Sequence, residues 1–83
     1  MKITLKLFAS LSEHMPAAKN SNEVSVEIEE GTTPSQLLRQ LGVPEELTHL
    51  VLVNGVFLPP EARRPDTLNE GDELAVWPPI AGG

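Results

Sequence analysis

The chain has 83 residues, with 12 acidic and 6 basic side chains and a formal net charge of −6. This length allows one domain with a small core, and the negative charge disfavours binding to nucleic-acid phosphates. The chain contains no cysteine, which excludes disulfides, thiolate nucleophiles and cysteine metal sites. No export signal or long apolar run follows Met1, so we expect a cytoplasmic protein that does not contact membranes.

The first part of the chain predicts two strands. Residues 1–9 alternate apolar and polar side chains, which is typical of a strand with one buried face. Residues 10–15 favour a helical turn, and a polar loop follows. Alternation returns in residues 24–29 and ends at Gly31. The two strands are therefore expected to form a hairpin with a long connection.

A helix is predicted to begin after Thr33. Thr33 stands at the N-cap position, Pro34 at the first helical position and Gln36 two residues later, which together form a capping box. Gly42 suits the end of the helix because a glycine readily adopts the left-handed conformation found there. The residues that this helix offers to the core are Leu37, Leu38 and Leu41.

The second half predicts a hairpin and a last strand. Asn54-Gly55 between two apolar runs favours a type I′ turn, in which both central residues have positive φ. After an irregular segment and a turn at residues 69–72, residues 73–77 alternate again. The order of elements predicts an α+β domain in which one main helix covers a mixed sheet. This description fits the β-grasp fold of ubiquitin-like proteins.

The sequence ends in Pro78-Pro79-Ile80-Ala81-Gly82-Gly83. Prolines interrupt strand pairing, so we expect a β-grasp domain over residues 1–77 and a flexible tail over residues 78–83. Extended, six residues reach about 20 Å. Two glycines allow the tail to enter a narrow cleft and present its carboxylate. The alternative interpretation is a frayed terminus without a function.

Three segments resemble one family. Residues 69–83, with Gly71-Asp72-Glu73 and the terminal Gly-Gly, look like the carboxyl terminus of the MoaD/ThiS family of ubiquitin-like sulfur carriers. The resemblance is greatest to the small subunits of molybdopterin synthase. Phe8-Ala9-Ser10-Leu11 at the end of the first strand and Val53-Asn54-Gly55 are also similar to that family.

The resemblance implies a function for the end of the chain. An ATP-dependent enzyme related to ubiquitin-activating enzymes would adenylate the carboxylate of Gly83, and sulfur would then displace AMP to leave a thiocarboxylate. Gly82 has no side chain and would keep the segment before the reactive carboxylate narrow enough to enter the enzyme's cleft. The thiocarboxylate would donate sulfur in molybdopterin biosynthesis, with a molybdopterin synthase large subunit or an equivalent acceptor as the second partner. The chain itself would bind no cofactor and would act as a co-substrate and small subunit rather than as an enzyme.

Other functions remain open at this point. The carrier could serve another pathway, such as formation of the thiamine thiazole. A ubiquitin-like modifier conjugated to lysines through Gly83 needs the same free Gly-Gly end. A β-grasp interaction domain with an inert tail is the third alternative.

The three aromatic side chains are predicted to share the open face of the sheet. Strand parity places Phe8 and Trp77 opposite the buried positions, and Phe57 has the same parity if Val56 and Leu58 are buried. Exposed rings on one face favour a docking surface, and the family resemblance implies the same. The alternative is a small core or a half-buried edge. The residues expected to bind partners are Phe8, Phe57, Trp77, Pro78, Pro79, Ile80 and Ala81.

The remaining polar residues predict no further site. His14 and His49 lack the spacing of metal ligands, and we expect no metal. Arg63 and Arg64 are expected to keep their loop solvated, and the alternative is that they pair with acidic side chains of a partner.

Overall fold

The computed structural model describes residues 1–15 and 22–79, which form a five-stranded sheet covered by one α-helix. The order of strands in the sheet is β2-β1-β5-β3-β4. Strands β1 and β5 are parallel and the other neighbours antiparallel, so the predicted mixed sheet is confirmed. The strands are β1 (Lys2–Leu7), β2 (Glu23–Glu27), β3 (Leu50–Val53), β4 (Val56–Phe57) and β5 (Glu73–Trp77), and the helix is α1 (Pro34–Gln40).

The core lies between one face of the sheet and helix α1. Alternate residues of β1 and β5 point into it, as the sequence pattern predicts, and helix α1 contributes two leucines. Short 3₁₀ segments at Ala9–His14, Glu45–Leu47 and Pro60–Ala62 connect the elements. The central buried side chains are Ile3, Leu5, Leu7, Leu11, Leu37, Leu38, Val51, Leu74 and Val76.

Helix α1 begins at the predicted capping box. The Thr33 hydroxyl accepts a hydrogen bond from the Gln36 amide at 3.2 Å, and the Gln36 side chain accepts one from the Thr33 amide at 3.0 Å. Each bond pairs an amide that the first turn would otherwise leave without a partner. Gly42, with φ of +80°, follows the last turn and ends the helix as predicted.

The β3–β4 hairpin turns at Asn54-Gly55, where φ is +54° and +81°. Positive φ at both residues confirms the predicted type I′ turn. Burial of both Val56 and Leu58 was the condition for placing Phe57 on the same face as the other rings, and Val56 does not meet it, because its side chain is 69% exposed on the two-residue edge strand β4. Leu58 is half-buried and packs against the core.

Arg63 does not keep its loop solvated, contrary to the sequence-based expectation. Its side chain is buried, and its guanidinium group donates hydrogen bonds to the carbonyls of Leu58 at 3.0 Å and Thr48 at 2.8 Å. These bonds tie the loop after β4 to the residues just before β3. Arg64 is exposed and forms an ion pair with Glu45 at 2.9 Å. Only Arg64 therefore behaves as expected.

Within the two described ranges, no helix is long and apolar enough to cross a membrane.

Candidate docking face and carboxyl-terminal segment

The face of the sheet opposite helix α1 carries a band of apolar side chains, here called the open face. Strand register defines it: Leu50 is paired with Trp77, and Leu52 with both Ala75 and Phe57. These positions alternate with the buried residues of the same strands. The open face consists of Phe8, Leu50, Leu52, Phe57, Ala75 and Trp77.

Two of its aromatic rings are stacked on each other. The centroids of Phe8 and Trp77 are 4.3 Å apart, and the ring planes differ by 4°. The Phe8 amide donates to the Val76 carbonyl at 3.1 Å, which continues the β1–β5 pairing by one residue and brings Phe8 next to Trp77. Each ring is half-buried as a result. The predicted common face is correct, although the two rings cover part of each other.

Phe57 extends the open face towards the edge of the sheet. Its side chain is 51% exposed, and it lies one strand away from Leu52 and two from Ala75. Ala75 is only 4% exposed although it points away from the core, and its cross-strand neighbours are the larger residues Lys6 and Leu52. The sequence analysis missed Leu50 and Leu52. The signal for them was a β3 strand that is apolar at every position, as expected when both faces of a strand are covered.

A charged cluster borders this apolar band. The Lys6 ammonium group lies 3.2 Å from a Glu73 oxygen and 3.7 Å from a Glu23 oxygen. The hydrogen bond that Lys6 donates to Glu73 is the main reason that the pKa of Lys6 is raised, and partial desolvation opposes it. An apolar centre with a charged border is the usual anatomy of a protein interface.

Two motifs that carry the family resemblance meet at the start of β5, at the end away from Trp77. They are Val53-Asn54-Gly55 and Gly71-Asp72-Glu73. The Asn54 side chain donates to the Asp72 carboxylate at 2.9 Å and accepts from the Glu73 amide at 2.9 Å. The other Asp72 oxygen accepts from the Asn69 amide at 2.7 Å. We call these three bonds the turn clasp. It fastens the β3–β4 turn to the turn before β5 and has no part in the open face.

The chain reaches the predicted tail directly after the stacked rings. Strand β5 ends at Trp77, whose carbonyl accepts from the His49 amide at 3.0 Å. Pro78 is buried, and Pro79 is exposed. The other predicted site residues, Ile80, Ala81, Gly82 and Gly83, lie outside the described residues. The aromatic end of the open face is therefore the end from which the tail continues.

The ThiS family matches residues 5–83, a span that includes both glycines of the terminal pair. The chain belongs to the ThiS family. This confirms the resemblance to the MoaD/ThiS family of ubiquitin-like sulfur carriers. No curated protein gives a significant match to this ThiS-family chain.

Solved structures show the same fold. The Haloferax volcanii HVO 2177 protein is 25% identical, with a TM-score of 0.77 over 100% of this chain and 87% of its own. The small archaeal modifier protein 1 of Haloferax volcanii is 25% identical, with a TM-score of 0.61 over 95% of this chain and 98% of its own. A putative molybdopterin converting factor subunit 1 from Pyrococcus furiosus is 20% identical, with a TM-score of 0.64 over 95% and 98%. These similarities confirm the predicted ubiquitin-like β-grasp fold.

Groups of three or more histidine and acidic side chains that could hold a metal ion are absent from residues 1–15 and 22–79. His14 is half-buried and His49 exposed, in separate parts of the fold.

Proposed function

We propose that this ThiS-family protein carries sulfur as a thiocarboxylate on Gly83 and donates it in the biosynthesis of molybdopterin. The observation that carries the proposal is the family match, which extends through Gly82 and Gly83. In this proposal the protein is a co-substrate and the small subunit of a synthase. It has no catalytic side chain of its own.

The chemistry explains why a bare glycine end suffices. A carboxylate resists nucleophiles because it is anionic and has a poor leaving group. Attack of the Gly83 carboxylate on ATP, bound by an activating enzyme, would release pyrophosphate and form an acyl adenylate. Hydrosulfide released by a sulfur donor would then attack the acyl carbon, form the C–S bond, expel AMP and lose its proton. The resulting thiocarboxylate is anionic at neutral pH and exposes its sulfur at the end of a narrow tail.

The open face is the proposed docking surface for both partners. Phe8 and Trp77 lie where the tail begins, so a partner that covers these rings also receives the tail. Because the stacked rings are already half-buried, we take about 250 Å² of apolar area as still free, which contributes roughly 6 kcal/mol. Association itself costs about 4 to 15 kcal/mol. The face alone would therefore bind weakly, as suits a carrier that must leave one partner for another.

The first partner in this proposal is an adenylating enzyme of the ubiquitin-activating type, and the second is a molybdopterin synthase large subunit. Molybdopterin is our first choice because residues 69–83 resemble the small subunits of that synthase, including a bulky Trp77 before the proline pair. A carrier for thiamine thiazole formation would use the same Gly83 chemistry with another acceptor.

A second candidate is a protein modifier. The similarity to small archaeal modifier protein 1 favours it, since that protein is 25% identical and is named as a modifier. In this case a lysine amine, rather than sulfur, would displace AMP from the Gly83 adenylate and form an isopeptide bond.

Intact mass measurement distinguishes these functions. The protein is incubated with its cognate activating enzyme, ATP and a sulfur donor, in parallel with a chain that lacks Gly83. Exchange of one oxygen for sulfur in the parent chain alone supports the carrier, and adducts on protein lysines support the modifier. A parent chain whose mass stays unchanged under all conditions would contradict both.

A further inference from the structure

All three arginines of the chain line a single cavity on the helix side of the sheet. The cavity has a volume of about 230 Å³ and lies between helix α1, the Glu45–Leu47 turn and the loop after β4. Apolar side chains form much of its wall. The lining arginines are Arg39, Arg63 and Arg64, and the apolar residues are Leu38, Val43, Pro44 and Pro60.

The charge of this cavity is opposite to that of the whole protein. Glu45 is the one acidic residue in the lining, against three guanidinium groups. The chain carries a net charge of −6 and only 6 basic residues, so half of its basic side chains are gathered here. A local reversal of charge in a low-dielectric recess attracts anions.

Two of the three guanidinium groups have no acidic partner. Within residues 1–15 and 22–79, neither Arg39 nor Arg63 forms an ion pair, whereas Arg64 is paired with Glu45. Arg63 is only 6% exposed and donates to backbone carbonyls alone. A buried charge that is not directly paired is costly, and burial lowers the pKa of Arg63 despite the opposing charges of Glu45 and Glu61. An anion in the cavity would compensate this charge.

We propose that this cavity binds a small oxyanion, phosphate or carboxylate, attached to a compact apolar group, with Arg39 and Arg63 as its cationic contacts. Guanidinium groups suit both anions because their planar donors match two oxygens at once. The volume equals that of about eight water molecules at roughly 30 Å³ each, which fits a ligand of about ten non-hydrogen atoms. The apolar wall would take the rest of the ligand. The cavity lies on the helix side, away from the open face, so this inference is independent of sulfur transfer.

NMR titration of the ¹⁵N-labelled protein tests the proposal. Phenyl phosphate and benzoate share a ring and differ in the anion, and benzyl alcohol provides the neutral control. We expect saturable shifts of the Arg39, Val43 and Thr48 amides with at least one of the two anions. Arg39→Gln should weaken binding about tenfold, the value of one charge-assisted hydrogen bond. Lys2→Gln removes the same charge from an exposed site outside the cavity lining and should change affinity less than about twofold.

The two anions distinguish the ligand class. Binding of phenyl phosphate alone identifies a phosphate site, binding of benzoate alone a carboxylate site, and binding of both a general oxyanion site. Absence of saturable shifts at millimolar anion would overturn the proposal. The same holds if benzyl alcohol binds equally well, or if Arg39→Gln and Lys2→Gln weaken binding to the same extent.

Discussion

The turn clasp should contribute measurably to stability, and two substitutions of Asn54 separate its hydrogen bonds from its backbone geometry. Asn54 makes two side-chain bonds of 2.9 Å, one to the Asp72 carboxylate and one from the Glu73 amide. A hydrogen bond contributes about 1 kcal/mol, and more when one partner is charged. Because the site is exposed, we expect Asn54→Gly to lower the free energy of unfolding by about 2 kcal/mol.

Asn54→Ala should cost more than Asn54→Gly. The residue has a φ of +54°, a conformation that glycine accepts and alanine resists by roughly 1 kcal/mol or more. The expected loss for Asn54→Ala is therefore about 3 kcal/mol. Urea unfolding followed by the fluorescence of Trp77, the single tryptophan of the chain, measures both variants.

A double-mutant cycle with Asp72→Ala completes the test. Because Asn54 and Asp72 share a hydrogen bond, the two substitutions should be non-additive by about 1 kcal/mol. Losses below about 0.5 kcal/mol for both Asn54 variants, the range of ordinary surface changes, would refute the reasoning. Equal losses for alanine and glycine would refute the part that concerns backbone conformation.

Three further predictions concern the loop arginines, the end of β1 and the open face. Arg63→Met should lower the free energy of unfolding in urea by about 2 to 4 kcal/mol, because carbonyl groups lose their hydrogen-bond donor. Arg64→Gln should lower it by less than about 1 kcal/mol, and similar losses for both variants would contradict the different roles of the two arginines. Ala9 has a φ of +53°, which strains an alanine, so Ala9→Gly should increase the free energy of unfolding by about 0.5 kcal/mol and raise the midpoint of thermal unfolding. A lower midpoint would argue against strain at Ala9. Phe8→Ser combined with Trp77→Ser should weaken binding to the activating enzyme by about 2 kcal/mol or more in calorimetry, while circular dichroism shows a cooperative fold; unchanged affinity would exclude these rings from docking.

The elements that the sequence predicted well are those set by local chemistry. The alternation of apolar and polar side chains in β1 follows the two-residue period of any single strand. The capping box at Thr33 needs only four consecutive residues. The Asn54-Gly55 turn is equally local, because its φ values follow from the two residues in it. These predictions required no knowledge of distant parts of the chain.

The features that the sequence did not predict depend on distant contacts. Arg63 is buried because its loop returns to the residues before β3, which no local pattern in an arginine pair indicates. Val56 is exposed because β4 is short and forms the edge of the sheet. The stacking of Phe8 on Trp77 needs the parallel pairing of β1 with β5, whose sequence positions are far apart. The alternation of side chains within each strand predicted that both rings lie on one face of the sheet. It could not predict that the rings contact each other.

ATP–pyrophosphate exchange with the cognate activating enzyme tests the proposed role of Gly83 most directly. Three chains are compared: the parent, a chain with one alanine added after Gly83, and a chain without Gly83. The extension moves the carboxylate by about 3.5 Å and leaves the core untouched, so stability should stay within about 0.5 kcal/mol of the parent. We expect exchange to fall at least about a hundredfold in both altered chains, since misplacing a reacting atom by about 1 Å already has that effect. Equal exchange by all three chains would contradict a reactive carboxylate at Gly83.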